Sequence, residues 1–115
     1  MAVTLKRIYD PAGKSDGYRV LVDRLWPRGI KKEEAAIDEW AREVAPSQEL
    51  RHWFGHDPGR FEEFRRRYME ELHAHEEDLQ ALRDRARKGT VTLLFGARDT
   101  EHNNAAVLAE ILRGG

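Results

Sequence analysis

The chain of 115 residues contains no cysteine. Disulfides, a thiolate nucleophile and Cys-based zinc or iron–sulfur centres are therefore excluded. Neither Gly-x-Gly-x-x-Gly nor the Walker pattern occurs, which removes the usual dinucleotide and P-loop sites. Serine is confined to Ser15 and Ser47, without a nucleophile-elbow sequence around either. The five histidines form no HExxH motif, His73 and His75 do not share a helical face, and Gly55 separates His52 from His56, so no metal is assigned. No Pro/Ser-rich linker or internal repeat divides the chain, and residues 1–115 are expected to form one domain. No secretory h-region or run of about 20 apolar residues is present, so membrane association is not expected and a soluble, cytoplasmic protein is.

Charge is abundant but balanced. Twenty basic and 21 acidic side chains leave a formal net charge of -1. A near-neutral field gives no bulk attraction to nucleic acid. Hydrophobic residues make up 40% of the chain, enough for a core at this length.

Residues 2–9 and 18–25 read as strands, because β-branched and aromatic residues flank the turn chemistry of Asp10-Pro11-Ala12-Gly13 and Asp16-Gly17. Val20, Leu21 and Val22 are consecutive, as are Leu93, Leu94 and Phe95 in the strand at 91–95, which indicates strands covered on both faces. The link between the first two strands is too short for a helical crossover, so their pairing stays open. A helical turn at 31–36 precedes an ambiguous stretch at 37–45, where alternation and Pro46 favour a short strand.

Helical signals dominate the remainder. Ser47 is placed to cap a helix that Gly55 stops, and Asp57-Pro58 starts another whose stripe is Phe61, Phe64, Tyr68 and Leu72. Leu79, Leu82 and Ala86 mark a third, and Asn103 or Asn104 caps a last one carrying Val107, Leu108, Ile111 and Leu112. This order predicts a small three-layer α/β domain, with a mostly parallel or mixed sheet flanked by helices.

In such sheets ligands bind beyond the carboxyl ends of the strands. Those ends are basic: Lys6 and Arg7 close the first strand, Asp23-Arg24-Leu25-Trp26-Pro27-Arg28 follows the second, and Arg98-Asp99 follows the last. Arg24, Arg28 and Arg98, assisted by Lys6 or Arg7 and by the helix start at Asn103, form a candidate site for a small anionic or phosphorylated ligand. His56 lies in a Gly-flanked turn and, with Asp23 or Asp99, is the acid/base candidate. The blander alternative pairs Arg24 with an acid, lays Arg28 along Trp26 and uses Asp57 only as a cap. Nucleic-acid binding by the same arginines, with Trp26 or Trp53 stacking a base, ranks below the small ligand. A structural or interaction module, with Arg65, Arg66 and Arg67 on a surface stripe, is the third option. No cofactor is assigned, and oligomeric state stays open.

Lys6-Arg7-Ile8-Tyr9-Asp10, Asp16 through Gly29, Ala45-Pro46-Ser47, Leu50 through Asp57 and Thr92 through Asp99 together resemble the YeaO-like family of uncharacterised bacterial proteins, the domain of unknown function 488. Asn103, Asn104 and Ala105 continue the match, which covers nearly the whole chain. The resemblance implies a small three-layer α/β fold and no settled activity.

Overall fold

A computed structural model describes residues 2–114. Four strands, β1 (Val3–Arg7), β2 (Tyr18–Leu21), β3 (Glu39–Trp40) and β4 (Val91–Phe95), form one sheet in the order β1-β4-β2-β3. All three pairings are parallel. The last strand in sequence thus lies between the first two, which do not pair with each other. Because every strand runs the same way, the carboxyl ends share one edge.

The helices are α1 (Lys32–Ala35), α2 (Gln48–Phe54), α3 (Phe61–Leu72), α4 (Glu76–Lys88) and α5 (Asn104–Gly114). Their local signals act as the residues dictate. The Ser47 side chain accepts Leu50 N–H at 3.1 Å, and Gly55, at φ 54°, closes α2 with its N–H on Arg51 O at 3.1 Å. The Asp57 carboxylate accepts Gly59 N–H at 2.9 Å, capping a 3-10 turn at Pro58–Arg60 that leads into α3. Asn103 Oδ1 accepts Ala106 N–H at 2.8 Å and caps α5.

Side chains alternate across the sheet and separate its two faces. Val20, Val22, Val91, Leu93 and Phe95 join Phe54, Phe64, Tyr68, Leu72, Leu79, Leu82 and the buried residues of α5 in the larger core. Leu21, Leu94, Ile8 and Ala35 form a smaller core on the opposite face, packed against Trp26, Ile30, Ile37 and Trp40. The layers are therefore unequal: α2–α5 contribute to one core, while α1 and the loops beside it cover the other.

Residues 8–17 link β1 to β2 without an α-helix, and their folding depends on Asp16. Lys6 and Arg19 occupy strands on either side of β4, and both hold its buried carboxylate, at 2.7 and 2.5 Å. Thr92, on β4 between them, donates its hydroxyl to Asp16 O at 2.7 Å. Arg19 also donates to Ala35 O and Ala36 O, each at 2.9 Å, tying α1 to the same hub.

Three strands are shorter than their sequence signals, β1 covering only Val3–Arg7 of the expected 2–9. β2 ends at Leu21: Val22 N–H still donates to Leu94 O at 3.1 Å, but the next carbonyls turn to side chains, Asn104 Nδ2 donating to Val22 O at 2.9 Å and Trp40 Nε1 to Asp23 O at 2.8 Å. In the 37–45 stretch only Glu39–Trp40 pairs as a strand, and a 3-10 turn at Arg42–Val44 follows. Among the described residues no helix is long and apolar enough to cross a membrane.

Candidate functional site

A cavity of about 690 Å³ opens at the carboxyl edge of the sheet. The segments after β2 and β4, helix α2 with the turn following it, and the start of α5 all contribute to its wall. Its volume falls within the usual range for small-molecule sites.

Four arginines line this cavity: Arg24, Arg28, Arg51 and Arg98. Arg24 is half-buried, its Nε donating to Pro46 O at 3.0 Å, which fixes the stem and leaves the forked end to the cavity. Arg28, Arg51 and Arg98 are exposed. Among the described residues none of the four belongs to an ion pair. The arginines of α3 behave differently: Arg65 pairs with Glu110, and Arg66 and Arg67 with Glu63 at 2.7 Å each. That face is a solvated network whose positive charge is already matched.

Asp23 contributes a carboxylate to the wall. Its Oδ2 accepts Gly96 N–H at 2.8 Å and its Oδ1 accepts Asn104 Nδ2 at 3.2 Å. Burial raises its pKa above the ordinary aspartate value, while these hydrogen bonds and the charges of Arg51 and His56 pull the other way. Asp99 also lines the cavity, but its oxygens serve the loop before α5. They accept Glu101 N–H at 2.9 Å and His102 N–H at 3.0 Å, with His102 Nδ1 2.9 Å away. Those contacts hold its carboxyl below the ordinary range.

His56 is exposed on the cavity wall with a left-handed backbone, φ 57°, uncommon for a side chain of its size. Among the described residues it forms no hydrogen bond to Asp23 or Asp99, so His56 makes no dyad with either; the imidazole on Asp99 is that of His102. Asn103 lies on the wall too, but it is buried, its Oδ1 used in the cap and its Nδ2 donating to Asp99 O at 2.9 Å.

Lys6 and Arg7 do not line the cavity. Lys6 shares a sheet face with Thr92 and Arg19 and is held by Asp16 and Pro11 O. Arg7 donates to Ala97 O at 2.9 Å and Gly96 O at 3.4 Å and lies over the Tyr9 ring, so it braces the β4 turn from behind. Arg51, absent from the candidate set drawn from sequence, is the added cation. Its only local signal is helical spacing: it stands three residues before Phe54, which lines the same cavity.

The apolar wall comes from Tyr9, Leu25, Trp26, Pro27, Phe54 and Phe64. Trp26 is fixed by its Nε1 donating to Ile30 O at 2.7 Å and by an edge contact with Trp40 at 5.3 Å. Phe54 and Phe64 stack at 4.3 Å. Among the described residues no group of three or more His, Asp or Glu side chains gathers in a form able to hold a metal ion.

Comparison with known proteins finds relatives that match nearly the whole chain. The family model described as "Inactive DUF488-N3 subclade" matches residues 2–114. The chain is 51% identical over 113 residues to Uncharacterized protein YeaO of Escherichia coli (strain K12), covering 98% of each. It is 45% identical over 112 residues to Uncharacterized protein Rv3073c of Mycobacterium tuberculosis (strain ATCC 25618 / H37Rv) and to Uncharacterized protein Mb3100c of Mycobacterium bovis (strain ATCC BAA-935 / AF2122/97), covering 97% of this chain and 94% of each relative. No solved structure matches at a significant level.

Proposed function

This chain belongs to the YeaO-like DUF488 family, and on that premise we propose that its cavity binds a small anionic or phosphorylated ligand through Arg24, Arg28, Arg51 and Arg98. The carrying observation is four guanidinium groups on one cavity with no carboxylate paired to any of them among the described residues. Guanidinium is suited to forked recognition of phosphate or carboxylate, and four of them reach one concave site.

The role is binding in place of turnover. The family description calls the subclade inactive. Asp99 is committed to His102 and its loop, and His56 has no carboxylate partner among the described residues. We place this activity in the bacterial cytoplasm, where phosphorylated metabolites are abundant and a chain without cysteine meets no oxidative constraint.

A thermal-shift screen against phosphate, sugar phosphates, nucleotides and di- and tricarboxylates tests the proposal. A native-state ligand at about 100 times its dissociation constant adds about 2.7 kcal/mol of stability. The expected result is stabilisation by at least one class and its loss in the Arg28→Ala/Arg98→Ala double variant. Stabilisation that survives the double substitution, or none from any class, rejects the site. Steeply salt-dependent binding of single-stranded nucleic acid without binding of free anions moves the assignment to nucleic acid.

A further inference from the structure

Among the described residues the exposed large hydrophobic side chains are Tyr9, 44% exposed, and Leu25, 57% exposed. Both line the arginine cavity. They come from different segments, one following β1 and the other following β2, so their presence on one cavity is a product of the fold. Two apolar side chains left in water on the wall of one cavity favour a ligand with an apolar part. Trp26 and Pro27 line the same cavity, and the stacked Phe54–Phe64 pair supplies further aromatic wall.

A free oxyanion has no use for these walls. It would leave most of a cavity of about 690 Å³ to water and gain nothing from Leu25 or Tyr9. The backbone around the mouth is held in place: the Tyr9 hydroxyl donates to Arg28 O at 3.0 Å, linking an apolar element to the loop that carries a cation. Cation and ring therefore sit on one braced rim. Aromatic walls favour a flat ring, which can offer its edge or face to them and its face to a guanidinium.

We infer that the ligand is an organic anion with an aromatic body, its oxyanion head among the arginines and its ring against Tyr9, Leu25 and Trp26. This inference rests on the anion-binding role proposed above and specifies the chemical class.

Calorimetric titration of the full chain at pH 8 with methyl and phenyl phosphate, and with acetate and benzoate, tests it. In at least one pair the aromatic member is expected to bind at least tenfold more tightly. Leu25→Ala, at an exposed position, is expected to remove at least two-thirds of that advantage and to leave the affinity for the non-aromatic member unchanged. Tyr9→Ala is expected to reduce the aromatic advantage as well, but because it also frees Arg28 O from the Tyr9 hydroxyl it is expected to weaken both members of each pair. Equal affinities within both pairs, lost together in Arg28→Ala/Arg98→Ala, overturn the aromatic class while leaving the anion site standing. An aromatic advantage untouched by Leu25→Ala and Tyr9→Ala also overturns it. Binding by none of the four compounds, or binding indifferent to the arginine substitutions, removes both the class and the site.

Discussion

The carboxylate of Asp23 accepts the backbone N–H of Gly96 at 2.8 Å and so fastens the chain leaving β2 to the chain leaving β4 at the wall of the cavity. A Cβ on residue 96 would stand 3.3 Å from that oxygen, so the approach leaves little room for a side chain. The same carboxylate is one of two, with Asp99, that line the proposed anion site. Its position makes Asp23 both a clasp and a source of repulsion toward a bound anion.

Acidification is expected to tighten anion binding through Asp23. Burial raises its carboxyl pKa, so protonation begins at higher pH than for an ordinary aspartate. Below that point Asp23 is neutral and its share of the repulsion is lost. For a constant-charge probe such as benzenesulfonate, affinity should rise by about tenfold between neutral pH and the acid side of this transition, of the order expected for like charges several ångströms apart near a surface. Asp23→Asn should bind more tightly at neutral pH and lose this part of the pH dependence. An unchanged slope in the variant, measured by calorimetry, excludes Asp23 as the source.

Arg28→Ala and Arg98→Ala should separate binding from stability. Both side chains are exposed and unpaired among the described residues, so each substitution should shift unfolding free energy by no more than about 0.5 kcal/mol. Loss of a hydrogen bond to a charged partner weakens a complex by about 1.5–3 kcal/mol, so anion affinity should fall by at least tenfold in each. Chemical denaturation and calorimetry on the same preparations check both halves.

Asp16 should control acid stability. Lys6 contributes most to holding its pKa down to about 2, followed by the Gly13 N–H, with Arg19 adding to both against the opposing effect of burial. A folded pKa below the unfolded value stabilises the fold above about pH 4, and this contribution is lost as pH falls toward 2. It amounts to about 2 kcal/mol. Asp16→Asn leaves the Arg19 guanidinium buried without its counter-charge and should cost about 3–5 kcal/mol at neutral pH. Urea titrations from pH 7 to pH 2.5 should show the acid slope reduced in the variant.

Two glycine substitutions should differ in severity for a steric reason. Gly17 has φ 63°, and a Cβ there would lie 2.3 Å from Thr90 O, the acceptor of Tyr18 N–H. Gly17→Ala should therefore cost more than about 3 kcal/mol, combining backbone strain with displacement of that carbonyl. Gly29 has φ 81° with nothing within 4 Å of a new Cβ, and Gly29→Ala should cost only the conformational part, about 1–2 kcal/mol. Similar denaturation midpoints for the two variants would contradict this.

His56→Gly should trade binding for stability. The left-handed backbone at φ 57° costs a side-chain-bearing residue about 1–2 kcal/mol, partly offset in glycine by its greater unfolded-state freedom. A net gain of about 0.5–1 kcal/mol in unfolding free energy is expected, together with weaker anion binding. Stabilisation without any loss of affinity would show that the imidazole is dispensable to the site.

Local chemistry was sufficient for much of this molecule. Consecutive apolar residues at 20–22 and 93–95 require strands covered on both faces, and Ser47, Asp57 and Asn103 cap where their side-chain oxygens and the following residues demand. Arg24, Arg28 and Arg98 were legible as neighbours because each follows a strand, and parallel strands deliver their carboxyl ends to one edge.

Strand order and side-chain parity required the assembled sheet. That β4 lies between β1 and β2 depends on pairings across most of the chain, which no local window contains. The same order turns Lys6 toward Asp16 and away from the arginines, since a strand sends successive side chains to opposite faces. Arg51 joins the cavity only because α2 docks with Phe54 in the core, and Tyr9 and Leu25 line one cavity only because their segments converge. Sequence alone determined which residues form helices and strands and which carry charge, because those properties depend on neighbours along the chain. Tertiary structure decided which charges are neutralised and which remain free, because that depends on distances through space.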